Sequence, residues 1–183
     1  MSDNPTQYEI RPARLPEDAP AIAAIDTRFT SDQYFRVEHI GDSFRLELAP
    51  RARFEKAFSV YDLYHSHREW EDADVAEAHG CIRGFAAGGY QFWNRRYVLW
   101  HIYVAPECRG SGMGTALLTR VLARAQARQA VSVWLETSNF NAPGIAWYRH
   151  HGFDFAGLDL ALYDGTGLGE EAGVYLMRRL LRA

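Results

Sequence analysis

A glycine-rich segment in the second half of the chain has the residue types needed to bind a diphosphate. It runs from Ala105 to Thr115 with the sequence APECRGSGMGT, between a stretch that predicts a strand and a periodic stretch that predicts a helix. Glycines at such a turn expose backbone N–H groups where the helix dipole is positive, so a pyrophosphate can approach closely. A helix start without a ligand is the structural alternative, but glycines weaken a helix by roughly 1 kcal/mol each.

Two well-known nucleotide motifs fit this segment poorly. A dinucleotide fingerprint would need a small third residue at Thr115 or Leu117 and an acidic residue near the end of the next strand. A Walker loop needs a Gly-Lys pair, and the only lysine of the chain is Lys56. Neither nucleotide fold is therefore predicted.

Two segments together resemble the cofactor motifs of the GNAT acetyltransferase superfamily. The first is Arg109-x-x-Gly112-x-Gly114, which is similar to that superfamily's pyrophosphate site: Arg or Gln, two spacers, Gly, one spacer, then Gly or Ala. The second superfamily motif is matched by a helix-capping Asn141 and by residues that follow it, namely Gly144, where alanine is usual, Tyr148, Arg149, Gly152 and Phe153. The two motifs occur in the right order and in the strand and helix contexts that they require.

The resemblance implies that acetyl-CoA is the co-substrate, and from the spacing of the cysteines and histidines we expect no metal. It also implies a set of cofactor-binding residues on the central strand, the glycine-rich segment and the second motif: Ile102, Tyr103, Val104, Arg109, Gly110, Ser111, Gly112, Met113, Gly114, Thr115, Asn141 and Tyr148. Two histidine pairs, His65 with His67 and His150 with His151, lack carboxylate or cysteine partners at metal-ligand spacing. We expect these histidines to be solvated.

Within the superfamily, the sequence resembles streptothricin-type antibiotic N-acetyltransferases over almost its whole length. Those enzymes have acidic residues in the central strand, whereas this chain has Leu99-Trp100-His101-Ile102-Tyr103 there. The resemblance implies a small-molecule primary amine, such as a streptothricin-like antibiotic, as the acceptor. The matching stretches are DTRFTSDQYFRV (26–37), NRR (94–96), VAPECRG (104–110), LETSNFNAP (135–143) and GLDLALYDG (157–165).

Acetyl transfer to an amine needs an uncharged nucleophile, a polarised thioester carbonyl and a proton for the departing thiolate. Tyr148 is the predicted general acid, since it matches the tyrosine that protonates the coenzyme sulfur in many relatives. Glu136 is the predicted base and resembles a glutamate of ribosomal-protein N-terminal acetyltransferases. His101 is the alternative base. The resemblance further implies that a backbone N–H between Ile102 and Val104 binds the carbonyl oxygen.

Two other functions stay open from the sequence. The similarity of Glu136 to the ribosomal-protein enzymes favours a protein α-amine as the acceptor. The absence of acidic residues from the central strand favours a protein that binds coenzyme A without catalysis. Assays with small amines and with peptides would separate these functions.

The elements that must position these residues follow from hydrophobic periodicity. A long amphipathic helix separates the strand at 97–104 from the strand at 131–136, so these two strands should be parallel with a right-handed crossover. Most other strands should form antiparallel pairs, with an exposed connection at 65–74. We therefore expect an α/β (α+β) GNAT fold, with a mixed, mostly antiparallel sheet and a central parallel pair joined by the pyrophosphate-binding helix. The other predicted strands are 8–11, 35–39, 44–48, 59–64, 75–79, 81–92, 158–163 and 172–177, and the predicted helices are 17–27, 112–128 and 142–150.

Composition limits the class of protein. With 183 residues, of which 48% are hydrophobic, the chain is expected to form one domain over 1–183. A net charge of −3 provides no basic surface for nucleic acid, and no stretch has the pattern of a leader or a membrane span. We expect a cytoplasmic protein without nucleic-acid or membrane partners, and a homodimer is left open.

Overall fold

The computed structural model describes residues 8–166 and 169–180 of the chain. These residues form two structural units, one within 8–28, 57–133 and 180 and the other within 29–56 and 134–179. The single domain expected from the sequence stays a prediction. In chain order the elements are β1 (Tyr8–Pro12), α1 (Ala19–Ala23), β2 (Phe29–Ile40), β3 (Ser43–Lys56), β4 (Asp72–Ala78), β5 (Cys81–Gln91), β6 (Arg96–Val104), α2 (Met113–Ala127), β7 (Ser132–Ser138), α3 (Ala142–His150), β8 (Asp154–Asp159) and β9 (Gly173–Arg179).

The first unit contains strands in the order β1-β4-β5-β6, and each pairs antiparallel with its neighbour. β4 and β5 are joined by a tight turn in which His79 and Gly80 have φ values of 52° and 73°. Two positive φ values are what a two-residue hairpin turn requires. The antiparallel pairing that the sequence predicts for most strands is confirmed for these four.

Helix α2 packs closely against this sheet. Its Met113 and Leu117 side chains are buried, and a Cβ added at Gly84 of β5 would lie 3.0 Å from an atom of each. Glycine at this position therefore allows the helix to approach the strand. The bounds of α2 agree with the predicted helix over 112–128 to within one residue.

Asp74 in β4 is fully buried, although the sequence predicts an exposed connection over 65–74. Its carboxylate accepts hydrogen bonds from Arg120, at 3.1 Å, and from both terminal nitrogens of Arg124. These arginines lie four residues apart on one face of α2. Their charges offset the cost of burying the carboxylate. The predicted exposed connection is confirmed for residues 65–69 and 71, but it is wrong for Asp74 and for Trp70, which is 2% exposed and part of the core.

Three other predicted elements differ from the structure. In the predicted strand over 59–64, residues 59 and 60 have no regular structure and residues 61–64 form a turn. The helix predicted over 17–27 is shorter, and beyond its end Asp26 accepts a hydrogen bond from the Arg28 N–H at 2.9 Å. β8 ends before the predicted 163, where Asp159 accepts one from the Ala161 N–H at 3.0 Å. A short aspartate side chain bonded to the backbone two residues on favours a turn over a helix or strand.

The second unit contains the β2–β3 hairpin, helix α3 and strands in the order β7-β9-β8. The hairpin turns at Gly41, whose φ is 59°, and extends well beyond the predicted 35–48. Helix α3 has the predicted bounds. None of the helices in the described part of the chain is long and apolar enough to cross a bilayer.

Asn139, directly after β7, joins three segments of the second unit. Its Nδ2 donates to the carbonyl oxygens of Phe35, at 2.9 Å, and Glu170, at 3.1 Å. Its Oδ1 accepts from the Ala172 N–H at 2.9 Å. The side chain is fully buried, so these bonds replace those to water. They fix β2 and the segment before β9 at the end of β7.

Candidate functional site

The glycine-rich segment of the first unit forms a turn that leads directly into α2. After a short 3₁₀ turn over Pro106–Cys108, Gly110 and Gly112 have φ values of 79° and 86°. The Ser111 hydroxyl donates to the Cys108 carbonyl at 2.7 Å and closes the turn. Positive φ at two positions explains the glycines, because other residues rarely adopt this conformation.

Five consecutive backbone N–H groups in this turn have no protein partner among the described residues. They belong to residues 110–114. Further along α2, the Ala116 N–H donates to the Gly112 carbonyl at 3.0 Å. No side chain caps the start of α2. Unpaired amides at the N-terminus of a 15-residue helix form an anion site, and their number suits a diphosphate. The structure therefore fits the predicted pyrophosphate site, and the amides of residues 110–114 are called the cradle below.

Arg109 stabilises this turn through hydrogen bonds to two backbone carbonyls of the first unit. Its Nε donates to the Val104 carbonyl at 3.0 Å, and one terminal nitrogen donates to the Arg28 carbonyl at 2.7 Å. The start of the segment is fixed by the Ala105 N–H, which donates to the Arg83 carbonyl at 2.8 Å. A direct contact of Arg109 with the cofactor stays a prediction.

A β-bulge in β6 changes which residues share a face. Ala87 pairs with His101 and Gly88 pairs with Leu99, so Trp100 is an extra residue in β6. The period of two along the sequence predicts that His101 shares a face with both Leu99 and Tyr103. This prediction is wrong for Leu99, because the bulge shifts the period by one, and it is confirmed for Tyr103. The role of the Ile102–Val104 amides at the carbonyl oxygen stays a prediction.

His101 lies in a buried hydrogen-bond network. Its side chain is 6% exposed, with Nε2 2.9 Å from Asp62 Oδ1 and Nδ1 3.3 Å from the Tyr103 hydroxyl. Trp70 Nε1 donates to the other Asp62 oxygen at 2.8 Å. Burial acts to raise the pKa of Asp62, but the bonds from His101 and Trp70 outweigh it and the pKa is lowered. Both ring nitrogens of His101 have partners, which favours a structural role over the predicted alternative role as base.

The second unit carries the remaining predicted residues. Asn141 Oδ1 accepts from the Gly144 N–H at 3.1 Å and caps α3 as predicted. A Cβ at Gly144 would lie 2.3 Å from Asn141 Nδ2, so alanine, usual at this position in the resembling motif, would clash with the cap. The cofactor-binding role of Asn141 stays a prediction.

Tyr148 lies on α3, part-buried, with its ring against those of Phe153 and Trp147 at centroid distances of 5.8 and 5.2 Å. Burial, with a smaller contribution from the Glu136 charge, raises the pKa of its phenol. In residues 8–166 and 169–180 its hydroxyl has no protein hydrogen-bond partner. A protonated phenol without a protein partner can donate a proton to a ligand.

Glu136 in β7 has an unusual carboxyl group. Burial raises its pKa to about 7, and the nearby Glu171 and Asp159 charges act in the same direction. The Tyr163 hydroxyl donates to Glu136 Oε1 at 2.9 Å and, like the Lys56 charge, opposes the rise. A carboxyl with a pKa near 7 can take and release a proton at neutral pH.

The sequence did not predict four side chains that lie near His101 or Glu136 as site candidates. They are Asp62, Tyr163, Glu171 and Lys56. Tyr163 lies within the GLDLALYDG stretch, which was a usable signal. Lys56 was visible as the single lysine of the chain. Within the described residues, no three His, Cys, Asp or Glu side chains are grouped as metal ligands would be.

Comparison with known proteins decides the family. A family model described as the acetyltransferase (GNAT) family matches residues 38–153. The chain belongs to the GNAT acetyltransferase family. It is 41% identical to streptothricin acetyltransferase of Streptomyces lavendulae, over 92% of this chain and 93% of that protein. A crystal structure of nourseothricin acetyltransferase matches with a TM-score of 0.84 and 40% identity, covering 94% of this chain and 98% of that one.

A more limited similarity links this GNAT protein to an enzyme with a protein substrate. The ribosomal protein bS18-alanine N-acetyltransferase of Escherichia coli strain K12 is 34% identical, over 40% of this chain and 50% of that enzyme. The predicted fold class is confirmed as a mixed, mostly antiparallel GNAT sheet with one parallel pair. The protein is an acetyl-CoA-dependent N-acetyltransferase, and the five unpaired amides of residues 110–114 fit the diphosphate of that co-substrate.

Replacing Gly112 by alanine in this GNAT protein is expected to weaken coenzyme A binding. A left-handed φ of 86° costs an alanine about 1–2 kcal/mol. Relief of that strain shifts the amides of residues 110–114 away from the positions that bind the diphosphate. We therefore expect the Kd for coenzyme A to rise about 5- to 30-fold. Isothermal titration calorimetry with coenzyme A measures it. The matched control is Gly80→Ala, since Gly80 has a φ of 73° in a turn away from the cradle. An equal loss of affinity in both variants would contradict the assignment of the cradle.

Proposed function

We propose that this enzyme transfers an acetyl group from acetyl-CoA to a primary amine of a streptothricin-like antibiotic, by direct attack in a ternary complex. The near full-length similarity to streptothricin acetyltransferase supports the substrate class. The single structural observation that carries the chemistry is the Glu136 carboxyl, whose pKa is raised to about 7. Such a group is half ionised at neutral pH and is suited to act as a base.

The amine must lose a proton before it can attack. A lysine-like ammonium has a pKa of about 10.4, so removing its proton at pH 7 costs roughly 4–5 kcal/mol. Glu136 takes that proton in the proposed mechanism. The Tyr163 hydroxyl bonded to Glu136 Oε1 leaves Oε2 for the acceptor.

Acetyl-CoA supplies an activated acyl group as a thioester. The amides of residues 110–114 hold its diphosphate, and a backbone N–H between Ile102 and Val104 polarises the carbonyl oxygen in this proposal. Tyr148 protonates the leaving sulfur, because its phenol keeps its proton over the neutral pH range. Arg109 positions the amides through its bonds to Val104 and Arg28.

A thiol-release assay with acetyl-CoA tests this function. Streptothricin, 1,4-diaminobutane, free amino acids and N-terminal peptides are compared as acceptors at equal concentration. Turnover with streptothricin at a kcat/KM far above that for the peptides supports the proposal. Acetylation of peptides alone would assign a protein α-amine, and binding of coenzyme A without turnover of any amine would assign a non-catalytic protein.

Location and assembly are proposals as well. We propose a cytoplasmic location for this acetyl-CoA-dependent enzyme. A homodimer is tested by light scattering of the purified protein, where a mass near twice the 20.8 kDa of the chain supports it and a mass near 20.8 kDa overturns it.

A further inference from the structure

Glu171, just before β9, is a buried carboxylate with one oxygen unused. Its side chain is 1% exposed, and Oε1 forms an ion pair with the Lys56 ammonium. Oε2 is buried without a hydrogen-bond partner within the described residues. An ionised oxygen in that position lacks the hydrogen bonds that would offset its loss of water. The carboxylate can therefore accept a further donor.

The surroundings of Glu171 already hold one primary ammonium group. Lys56 Nζ lies 4.5 Å from the centroid of the Tyr163 ring, within the range of a cation–π contact. A carboxylate together with an aromatic face is a suitable site for an alkyl ammonium ion. The chain has one lysine among its 20 Lys and Arg residues, and that lysine lies here.

The charges in this part of the second unit do not balance. Glu171 and Asp159 both act to raise the pKa of Glu136, so their negative charges are felt at its carboxyl. The Lys56 charge opposes them. At the Glu136 carboxyl, the positive charge of Lys56 therefore acts against the negative charges of Glu171 and Asp159. A ligand that brings a positive charge would offset this excess.

We propose that Glu171 binds a second ammonium group of the acceptor through Oε2, so that the acceptor is at least a diamine. The proposal rests on the proposed function, in which Glu136 receives the proton of the amine that is acetylated. Lys56, whose side chain is 14% exposed, is the member of the pair that reaches solvent. Movement of this long, flexible side chain gives the acceptor access to the carboxylate.

Ligand binding without acetyl-CoA tests the proposal apart from catalysis. Calorimetry compares 1,4-diaminobutane with 1-aminobutane for the wild type, Glu171→Gln and the matched control Glu170→Gln. Glu170 is an exposed neighbour, so its replacement changes net charge equally. We expect the diamine to bind the wild type and the control more tightly than the monoamine, and Glu171→Gln to lose about 10- to 100-fold in diamine affinity. Equal affinities in the two variants would overturn the proposal.

A change at Lys56 distinguishes ligand binding from a purely structural ion pair. Lys56→Gln keeps a donor for Glu171 Oε1 but removes the competing positive charge. We expect this variant to bind the diamine more tightly than the wild type, the opposite sign to Glu171→Gln. If both variants lose affinity to the same extent, the pair is structural and the proposal is wrong.

Kinetics separate this proposal from the proposed function. With a diamine acceptor, Glu171→Gln should raise KM about 10- to 100-fold and leave kcat within about twofold, because the lost contact holds the acceptor before and during transfer. A fall in kcat with an unchanged KM would contradict the assignment. If the wild type acetylates no amine, the proposed function fails, while the binding comparison still decides the role of Glu171.

Discussion

Replacing Tyr148 by phenylalanine is expected to lower kcat/KM for acetyl transfer about 100- to 10,000-fold, the range found when a general acid is removed. The phenol keeps its proton because burial raises its pKa, and within the described residues its hydroxyl has no protein partner to lose. The substitution leaves the ring contact with Phe153 in place. Coenzyme A affinity and the thermal unfolding temperature should therefore change little. Steady-state thiol release and calorimetry provide these measurements.

Tyr175→Phe is the matched control for this prediction. Tyr175 in β9 stacks on Trp134 at a centroid distance of 5.0 Å, and burial likewise raises the pKa of its phenol. This control should retain wild-type kcat/KM, since we assign it no part in proton transfer. Wild-type rates in Tyr148→Phe would remove Tyr148 from the mechanism.

Replacing Glu136 by glutamine is expected to abolish the pH dependence of the reaction near neutrality. For the wild type, kcat/KM should rise with pH through an inflection near 7, because the ionised carboxylate is the active form of a base. In Glu136→Gln that inflection should disappear and kcat/KM should fall by about 100-fold or more. A pH–rate profile measured from pH 5.5 to 9 tests both outcomes.

The stability of Glu136→Gln gives a second measurement with a defined sign. The pKa of Glu136 is raised on folding from 4.5 to about 7, so the folded state binds more protons between these values and loses stability as pH rises through them. Glutamine carries no charge, so the variant should unfold at an equal or higher temperature than the wild type at pH 8. A variant that is inactive and also strongly destabilised would indicate a structural role.

Tyr163→Phe is the graded control for the inflection. The Tyr163 hydroxyl bonds to Glu136 Oε1 and lowers the pKa of that carboxyl. Its removal should move the inflection to higher pH without removing it. An inflection that is identical in the wild type, Tyr163→Phe and Glu136→Gln belongs to another group and contradicts the assignment of the base.

Local sequence signals predicted well the bounds of the two helices that carry the cofactor motifs. Helix α3 has the predicted bounds because its start and end depend on residues within it, the Asn141 cap and the following Pro143. The start of α2 was predicted for the same reason, since Gly110 and Gly112 adopt positive φ values that few other residues tolerate. Turn and cap chemistry acts over a few residues, so one sequence is enough to find it.

Long-range charge pairing explains what the sequence did not predict. Asp74 looked exposed because it follows a polar, acidic stretch, and the arginines that compensate it come from α2, 46 and 50 residues later. The partners Lys56 and Glu171 are 115 residues apart. Neither hydrophobic periodicity nor a short sequence motif indicates ion pairs between residues so far apart in the chain. The same limit applies to Glu136, whose sequence position suggested a base but whose raised pKa comes from burial in the folded chain.

Trp100 has no partner of its own in β5. Leu99 and His101, on either side of it, pair with the adjacent residues Gly88 and Ala87, so they lie on opposite faces of the sheet although they are two positions apart. A β6 that lacked Trp100 would keep these two pairs, and His101 would still face Asp62. The extra residue therefore sets the local bend and twist of the strand and does not decide which side chains of β6 face inward.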